Sequence, residues 1–435
     1  MRRKISCLFL TVLMMITVLT GCQSGKSDES TDSKGGMSEG ETLTVMCLGT
    51  AADAYKETYQ EIADEFSANN EYGVTVKFEF YENEQYKTKL ATLMASNSVP
   101  DVFFTWELSY LQPFVEGGKV YSLQEAIDAD EGWKNSFSDG VLEPLTFDGE
   151  VYAIPTQKSF CAMFYNKQIF EENNLQIPTT YEEFLAVCET LKGNGVPPMA
   201  LAATDAWIPS ELIQQISNGI AGIDLFNGIV EGRRQWNDPA HVEAAKEAQV
   251  MIEKGYFQDG MLGMSDEEAK SQFMNGKTAM YFMGTWEASN LMADDCAIKD
   301  VVSAFALPAE NPEYNNISVG GVSCFAISEN CINKEEAIAF LKYFSSVESQ
   351  EKILYEQGRL PSAKIETDES KLSPLVSDLI KLSNESTGLT TWWDRAFGAG
   401  EGVEFNNKCL AVFGGDDAQK VFDELQTFAD DNANR

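Results

Sequence analysis

Between residues 43 and 104 short apolar runs alternate with amphipathic stretches, and this alternation constrains the fold more than any other feature. Residues 43–48 read as a buried strand. Residues 54–66 then set Ala54, Tyr55, Tyr59, Ile62, Ala63 and Phe66 at helical spacing. Residues 74–80 alternate Val74, Val76, Phe78 and Phe80 against Thr75, Lys77 and Glu79, the period of a half-exposed strand. A second helical stretch runs from Asn83, read as its N-cap, to about residue 95, and 100–104 form a short buried strand. Strand, helix, strand, helix, strand argues for an α/β lobe on a largely parallel sheet.

Further along, Tyr152-Ala153-Ile154-Pro155 and residues 163–165 read as two strand segments around a crossover. Helical spacing dominates 181–191, 210–220 and 239–254. Strand-like runs return at 278–283, 303–307 and 319–327, and helices at 334–344 and 419–429. This order fits two lobes built from discontinuous segments, with crossings near Ile154 and at 320–322. The expected division is 42–153 plus 277–320 for an N-terminal lobe and 154–276 plus 321–435 for a C-terminal lobe. Gly320-Gly321 reads as a hinge device, because glycine tolerates the dihedral changes of closure.

The N-terminus carries an export signal. Arg2, Arg3 and Lys4 precede an uncharged apolar run over 5–20, which ends in Leu19-Thr20-Gly21-Cys22. A basic start, an apolar middle and a small-residue ending read as a signal peptide over 1–21. The last four residues match the bacterial lipobox, whose cysteine is diacylated; two acyl chains hold a protein at a membrane without a spanning helix. Residues 22–41 are too polar to bury a core and read as a flexible tether. The expected location is the outer face of a cell membrane, Gram-positive in type, with contact to the membrane only through the lipid on Cys22.

Charge and composition narrow the function. The net charge of −36 repels nucleic acid and anionic lipid and favours a neutral ligand. Seven cysteines remain beyond Cys22, odd in number and scattered, which fits neither a disulfide framework nor a zinc site. Several lie in apolar runs and read as small buried hydrophobes. His241 is the only histidine, so a histidine-based triad is improbable; it reads as a surface residue of a first helical turn. No pattern asks for a cofactor or a metal.

Four segments, in order and at suitable spacing, carry a family resemblance. They are Ser98-Val99-Pro100-Asp101-Val102-Phe103-Phe104; Tyr152-Ala153-Ile154-Pro155 with Phe164-Tyr165-Asn166-Lys167; Pro178-Thr179-Thr180-Tyr181-Glu182-Glu183-Phe184; and Gly276-Lys277-Thr278-Ala279-Met280 with Gly284-Thr285-Trp286. Together they resemble the family 1 extracellular solute-binding proteins, the sugar-binding receptors of ABC importers, which include maltodextrin-binding protein. The resemblance implies a periplasmic-binding-protein-like fold of two α/β lobes joined by a hinge, with the ligand in the cleft between them. It further implies delivery to the transmembrane subunits of an ABC permease and no catalytic activity. A monomer is expected.

A sugar needs aromatic rings against its apolar faces and carboxylates, amides or arginine around its hydroxyl rim, charged partners making the stronger bonds at roughly 1.5–3 kcal/mol each. In open α/β sheets ligands sit beyond the carboxyl ends of strands. Trp106-Glu107 follows a strand in that way. Trp286 does too, and it matches the family's Gly-x-Trp segment. Asp205-Ala206-Trp207 precedes a helix where the family often carries a stacking aromatic, and Trp392-Trp393-Asp394-Arg395 resembles a late aromatic contact. Gln157, past the first crossing, and Tyr81-Glu82, past a strand, complete the expected binding set, while Trp133 and Trp236 read as structural. Several tryptophans favour an oligosaccharide over a monosaccharide. Two alternatives stand beside this reading: the same fold binding a polyamine, a peptide or a phosphorylated polyol, or a lipid-anchored glycoside hydrolase with two carboxylates about 5–10 Å apart.

Overall fold

The computed structural model describes residues 41–433, so the expected signal peptide, lipidated Cys22 and nearly all of the tether lie outside the described residues. The first helix, Tyr55–Asn69, buries Tyr55, Tyr59, Ile62, Ala63 and Phe66 along one face, as their spacing requires. The second, Asn83–Ser96, starts one residue earlier than expected. Glu82, extended at φ −57°, ψ 151°, is its N-cap and accepts from the backbone N–H groups of Glu84 and Gln85. Helix Tyr181–Gly193 opens on a capping box in which Thr180 and Glu183 satisfy each other's backbone N–H.

Nine strands form one mixed sheet. Thr75–Tyr81, Thr42–Leu48 and Val102–Trp106 run parallel on one side; next come Ile317–Ile327, Ala153–Asn166, Met280–Gly284 and Met199–Ala200. The two long central strands are antiparallel to each other. Residues 153–166 are one continuous 14-residue strand, where two segments around a crossover were expected. Its ladder with Ile317–Ile327 slips at Ser323/Cys324, which pair with Gln157 and Pro155. A bulge there tolerates a proline that cannot donate to the ladder and re-aims the following side chain.

The two central strands pass through two hydrophobic cores. One core takes Leu43 to Ile154 and Val322 to Ile353; the other takes Phe160 to Val319 and Leu354 to Leu425. The chain therefore changes core at 154–160 and 319–322, near the expected crossings, and again at Ile353/Leu354 inside helix Val347–Gln357. The buried residues of 279–319 belong to the second core and those of 322–353 to the first, the reverse of the expected division for these segments. Strand-rich character misled here, because each long strand serves both cores in turn.

Three further expectations meet the structure. All seven cysteines are free and buried. Trp133 and Trp236 pack in the cores, and Trp133 Nε1 donates to Ser345 Oγ at 2.9 Å. His241, expected at the surface, is 0% exposed: helix Pro239–Glu253 enters the core by its first turn, and the imidazole stacks on Phe422 and beside Trp236. Among the described residues no helix is long and apolar enough to cross a membrane.

Candidate functional site

A cavity of about 410 Å³ opens between the two cores, at the carboxyl ends of Thr42–Leu48, Val102–Trp106 and Met280–Gly284, within the usual size of ligand sites. Its second-core wall is aromatic. Trp207 opens helix Trp207–Ala221, Trp286 sits in the turn after Met280–Gly284, and Trp392 precedes the short helix Trp393–Phe397. Ring centroids are 6.2 Å apart for Trp207–Trp286 and 5.7 Å for Trp286–Trp392, one continuous row. Trp106 lies on the opposite wall, packed at 4.9 Å against Tyr110.

The turn that carries Trp286 depends on a missing side chain. A Cβ on Gly284 would stand 2.1 Å from the Trp286 ring, so the indole lies flat over the glycine. This is the close approach for which glycine is used at a strand end.

Of the expected binding residues, Trp106, Trp207, Trp286, Trp392, Asp205, Asp394, Gln157 and Glu82 line the cavity. Three do not. Trp393 turns into the second core, stacked at 4.6 Å on Phe226 and 4.8 Å from Trp236. Tyr81 leaves the cavity to hydrogen-bond Glu79 at 2.9 Å, with Lys89 over its ring. Glu107 is 1% exposed and accepts from Arg395 Nη1 at 3.2 Å, an ion pair between the two cores. Burial raises the Glu107 pKa above the usual range, and Arg395 offsets part of that rise. The pair fits because residue 321 is glycine, whose Cβ would otherwise stand 2.0 Å from Glu107 Oε1. Gly321 thus supplies space for the pair. Arg395, held by Glu107, lays its guanidinium 3.8 Å from the Trp392 ring centre.

The cavity also holds polar side chains outside the expected binding set. Arg359 is buried, stacks 3.5 Å from the Tyr55 ring, and donates to Gln157 Oε1 at 2.9 Å and Ser289 Oγ at 3.0 Å. Lys270, 4% exposed, bonds Glu267 at 2.8 Å and lies 3.7 Å from Glu287 and 3.9 Å from Asp53. Burial lowers its pKa, but Glu287, Asp266, Asp53 and Glu267 together outweigh that and raise it, which keeps the ammonium charged. Asn290 Nδ2 donates to Asp53 Oδ1 at 3.1 Å, so this group ties the two cores together beside the cavity. Burial, reinforced by Glu287, pushes Asp266 up to about 7. Asp205 is also raised, by burial first and then by Glu84 and Glu82 on the facing wall.

Glu211 is the deepest of these groups, 1% exposed on helix Trp207–Ala221, and it accepts Trp392 Nε1–H at 2.6 Å. The available signal was a charge within a helix that is buried almost throughout, on the face it shares with Ile208, Gln214 and Gln215. An ionisable residue buried beside a cleft is a site candidate on physical grounds.

Known proteins resemble this chain in sequence and in fold. The chain is 27% identical over 298 residues to an ABC transporter extracellular-binding protein of Pyrococcus horikoshii, covering 67% of this chain and 68% of the relative. It is 25% identical over 295 residues to the multiple sugar-binding protein of Streptococcus mutans, covering 66% and 68%. A solved structure from work on xylan utilisation by the thermophilic bacterium Caldanaerobius polysaccharolyticus superposes with a TM-score of 0.83 at 28% identity, over 89% of this chain and 99% of that one. Residues 52–351 match the model of the bacterial extracellular solute-binding proteins. With two cores, a cleft between them and a match over most of its length, this chain belongs to the bacterial extracellular solute-binding protein family.

Proposed function

We propose that this chain is the extracytoplasmic receptor of an ABC importer and that it captures an uncharged oligosaccharide without transforming it. The observation that carries the reading is the row of Trp207, Trp286 and Trp392 facing Trp106 across a cleft edged with carboxylates and amides. Indoles offer flat apolar faces to sugar C–H surfaces, and Asp205, Glu82, Asp394 and Gln157 offer acceptors and donors to the hydroxyl rim. The Streptococcus relative, a multiple sugar-binding protein, and the xylan-utilisation context of the Caldanaerobius structure point to the same class of solute. Export, acylation of Cys22 and release of the cargo to permease subunits complete the proposal. Capture proceeds by closure of the two lobes over a sugar first stacked on one of them, driven by the ligand's higher affinity for the closed form.

A second reading has its own observation. Nine carboxylic side chains line the cavity against four basic ones, a balance that also suits a cationic solute held by aromatic faces.

A thermal-shift screen of residues 42–435 separates the two. Xylo-oligosaccharides, maltodextrins, monosaccharides and spermidine are tested in turn; a ligand at 100 times its Kd adds about 2.7 kcal/mol of stability. A rise in Tm with an oligosaccharide series supports the receptor proposed here. A rise with spermidine alone replaces it with the cationic reading. Trp286→Ala is expected to weaken the bound saccharide about thirtyfold, from roughly 2 kcal/mol of lost ring burial, with little change in Tm. Unaltered affinity in calorimetry would remove Trp286 from the site.

A further inference from the structure

Glu211 brings to the cavity a buried carboxyl oxygen that no protein group meets in a hydrogen bond. Its Oε1 accepts the Trp392 indole N–H at 2.6 Å. Its Oε2 is buried without a partner, and the residue lines the cavity. Among the described residues Glu211 has no ion pair. Arg395, the cation that faces it, gives its Nη1 to Glu107 at 3.2 and 3.4 Å. The remaining groups facing Glu211 offer no positive charge: Asp394 beside Arg395, Asp266 from helix Asp266–Met274, Cys161 from strand Ala153–Asn166, whose thiol is close enough to hydrogen-bond the carboxyl, and Tyr281 from strand Met280–Gly284.

A carboxylate in such surroundings is a buried charge without a counterion, and two other acids lie near it. Keeping the proton is the cheaper state. With Oε1 occupied as an acceptor, the hydroxyl is Oε2–H, left without an acceptor inside the protein. An unmet buried donor costs free energy until something supplies the acceptor.

We propose that Glu211 is a specificity-determining residue which, as a neutral carboxylic acid, donates a hydrogen bond from Oε2 to an acceptor oxygen of the bound carbohydrate. The acceptor is a ring, glycosidic or hydroxyl oxygen of the unit stacked beside Trp392. Burial, opposed by the Trp392 N–H and Arg395 and aided by Asp394 and Asp266, pushes this carboxyl up to about 8. The donor is therefore present at neutral pH and is lost in alkali. A cationic ligand would demand the opposite, a carboxylate as its counterion and tighter binding as pH rises.

This inference rests on the carbohydrate reading, and its test separates the two. Wild type, Glu211→Gln and Glu211→Ala are titrated calorimetrically with xylo-oligosaccharides and with maltodextrins between about pH 6 and about pH 10. Wild-type affinity for the saccharide that binds is expected to fall roughly tenfold per unit above about pH 8. Glu211→Gln, whose amide still donates, is expected to lose that pH dependence. Glu211→Ala should bind at least roughly tenfold more weakly than wild type at about pH 6. Affinity that rises with pH, or the same profile in Glu211→Gln, overturns the proposal.

Infrared difference spectra of the unliganded protein, wild type minus Glu211→Gln, read the proton directly. A protonated-carboxyl band at about pH 6 that gives way to carboxylate by about pH 10 is expected. A carboxylate band already at about pH 6 overturns the donor whatever the ligand. The acid band together with no binding of either saccharide overturns the carbohydrate assignment and leaves the state of Glu211 standing.

Discussion

At the residue scale, adjacent and chemically similar side chains have different tasks because their neighbours differ. Trp392 and Trp393 stand side by side in sequence, yet one lines the cavity and the other fills the core against Phe226 and Trp236. Nothing in a Trp-Trp pair says which ring faces solvent until the following helix sets their directions. His241 is a similar case, and it carries a pH prediction. Burial holds its pKa down at about 4, although its Nδ1 bonds the Trp236 carbonyl at 2.9 Å. An unfolded histidine titrates near 6.5, so as pH falls the unfolded chain takes up this proton first. The contribution to stability is whole above about pH 6.5, declines as pH falls, and is gone below about 4. The full change is about 3 kcal/mol. His241→Asn keeps a donor near the Trp236 carbonyl and cannot titrate. Its Tm is expected to drop less than that of wild type between about pH 7.5 and about pH 5. Equal drops in a scanning-calorimetry comparison would show that His241 is not held neutral.

At the element scale, the ends of strands decide the site. The strand Met280–Gly284 stops at a glycine whose bare Cα receives the Trp286 ring. Gly284→Ala is therefore expected to displace the indole and cost saccharide affinity on the order of that lost in Trp286→Ala, about thirtyfold. Tryptophan near-ultraviolet circular dichroism should change while the far-ultraviolet spectrum does not. An unmoved near-ultraviolet spectrum would mean that the ring has another support. The elements that were legible have local patterns: the buried stripe of Tyr55–Asn69, the Thr180–Glu183 capping box, the two-residue alternation near residue 76. The continuity of Ala153–Asn166 was not, because Pro155 reads as a strand breaker until the bulge opposite Ser323/Cys324 accommodates it.

At the scale of the whole molecule, two cores share one sheet, and the groups between them set how the cleft holds together. Tyr110 Oη donates to Asp394 Oδ2 at 3.2 Å, and Arg395 pairs with Glu107. Asp53 meets Asn290 at 3.1 Å and Lys270 at 3.9 Å. Asp53 keeps its charge despite its burial, because Lys270, the Thr50 N–H, Asn290 and Arg359 together outweigh the desolvation. Asp53→Ala removes one tie and leaves Lys270 to Glu267 and Glu287. Saccharide is expected to dissociate about tenfold faster from this variant, for a loss of about 1.4 kcal/mol, with association little changed. Stopped-flow tryptophan fluorescence measures both rates, and an unchanged dissociation rate would show that this tie plays no part in holding the closed form.

The amino-acid sequence by itself determined the α/β class, several long helices and most strands, the burial of several cysteines, and the family, through four short motifs in order. It also placed Trp106, Trp207, Trp286 and Trp392 at strand ends and helix starts, where a cleft forms. Those properties follow from period, capping and local backbone chemistry, which act over a few residues. Only the tertiary structure decided which core each segment joins, that Glu107 spends its charge on Arg395, that Tyr81 and Trp393 turn away, and that Glu211 and Lys270 reach the cavity. Each of those outcomes depends on contacts between residues far apart in the chain. Whether a buried charge finds a partner is settled by what the fold brings beside it, and local pattern carries no record of that.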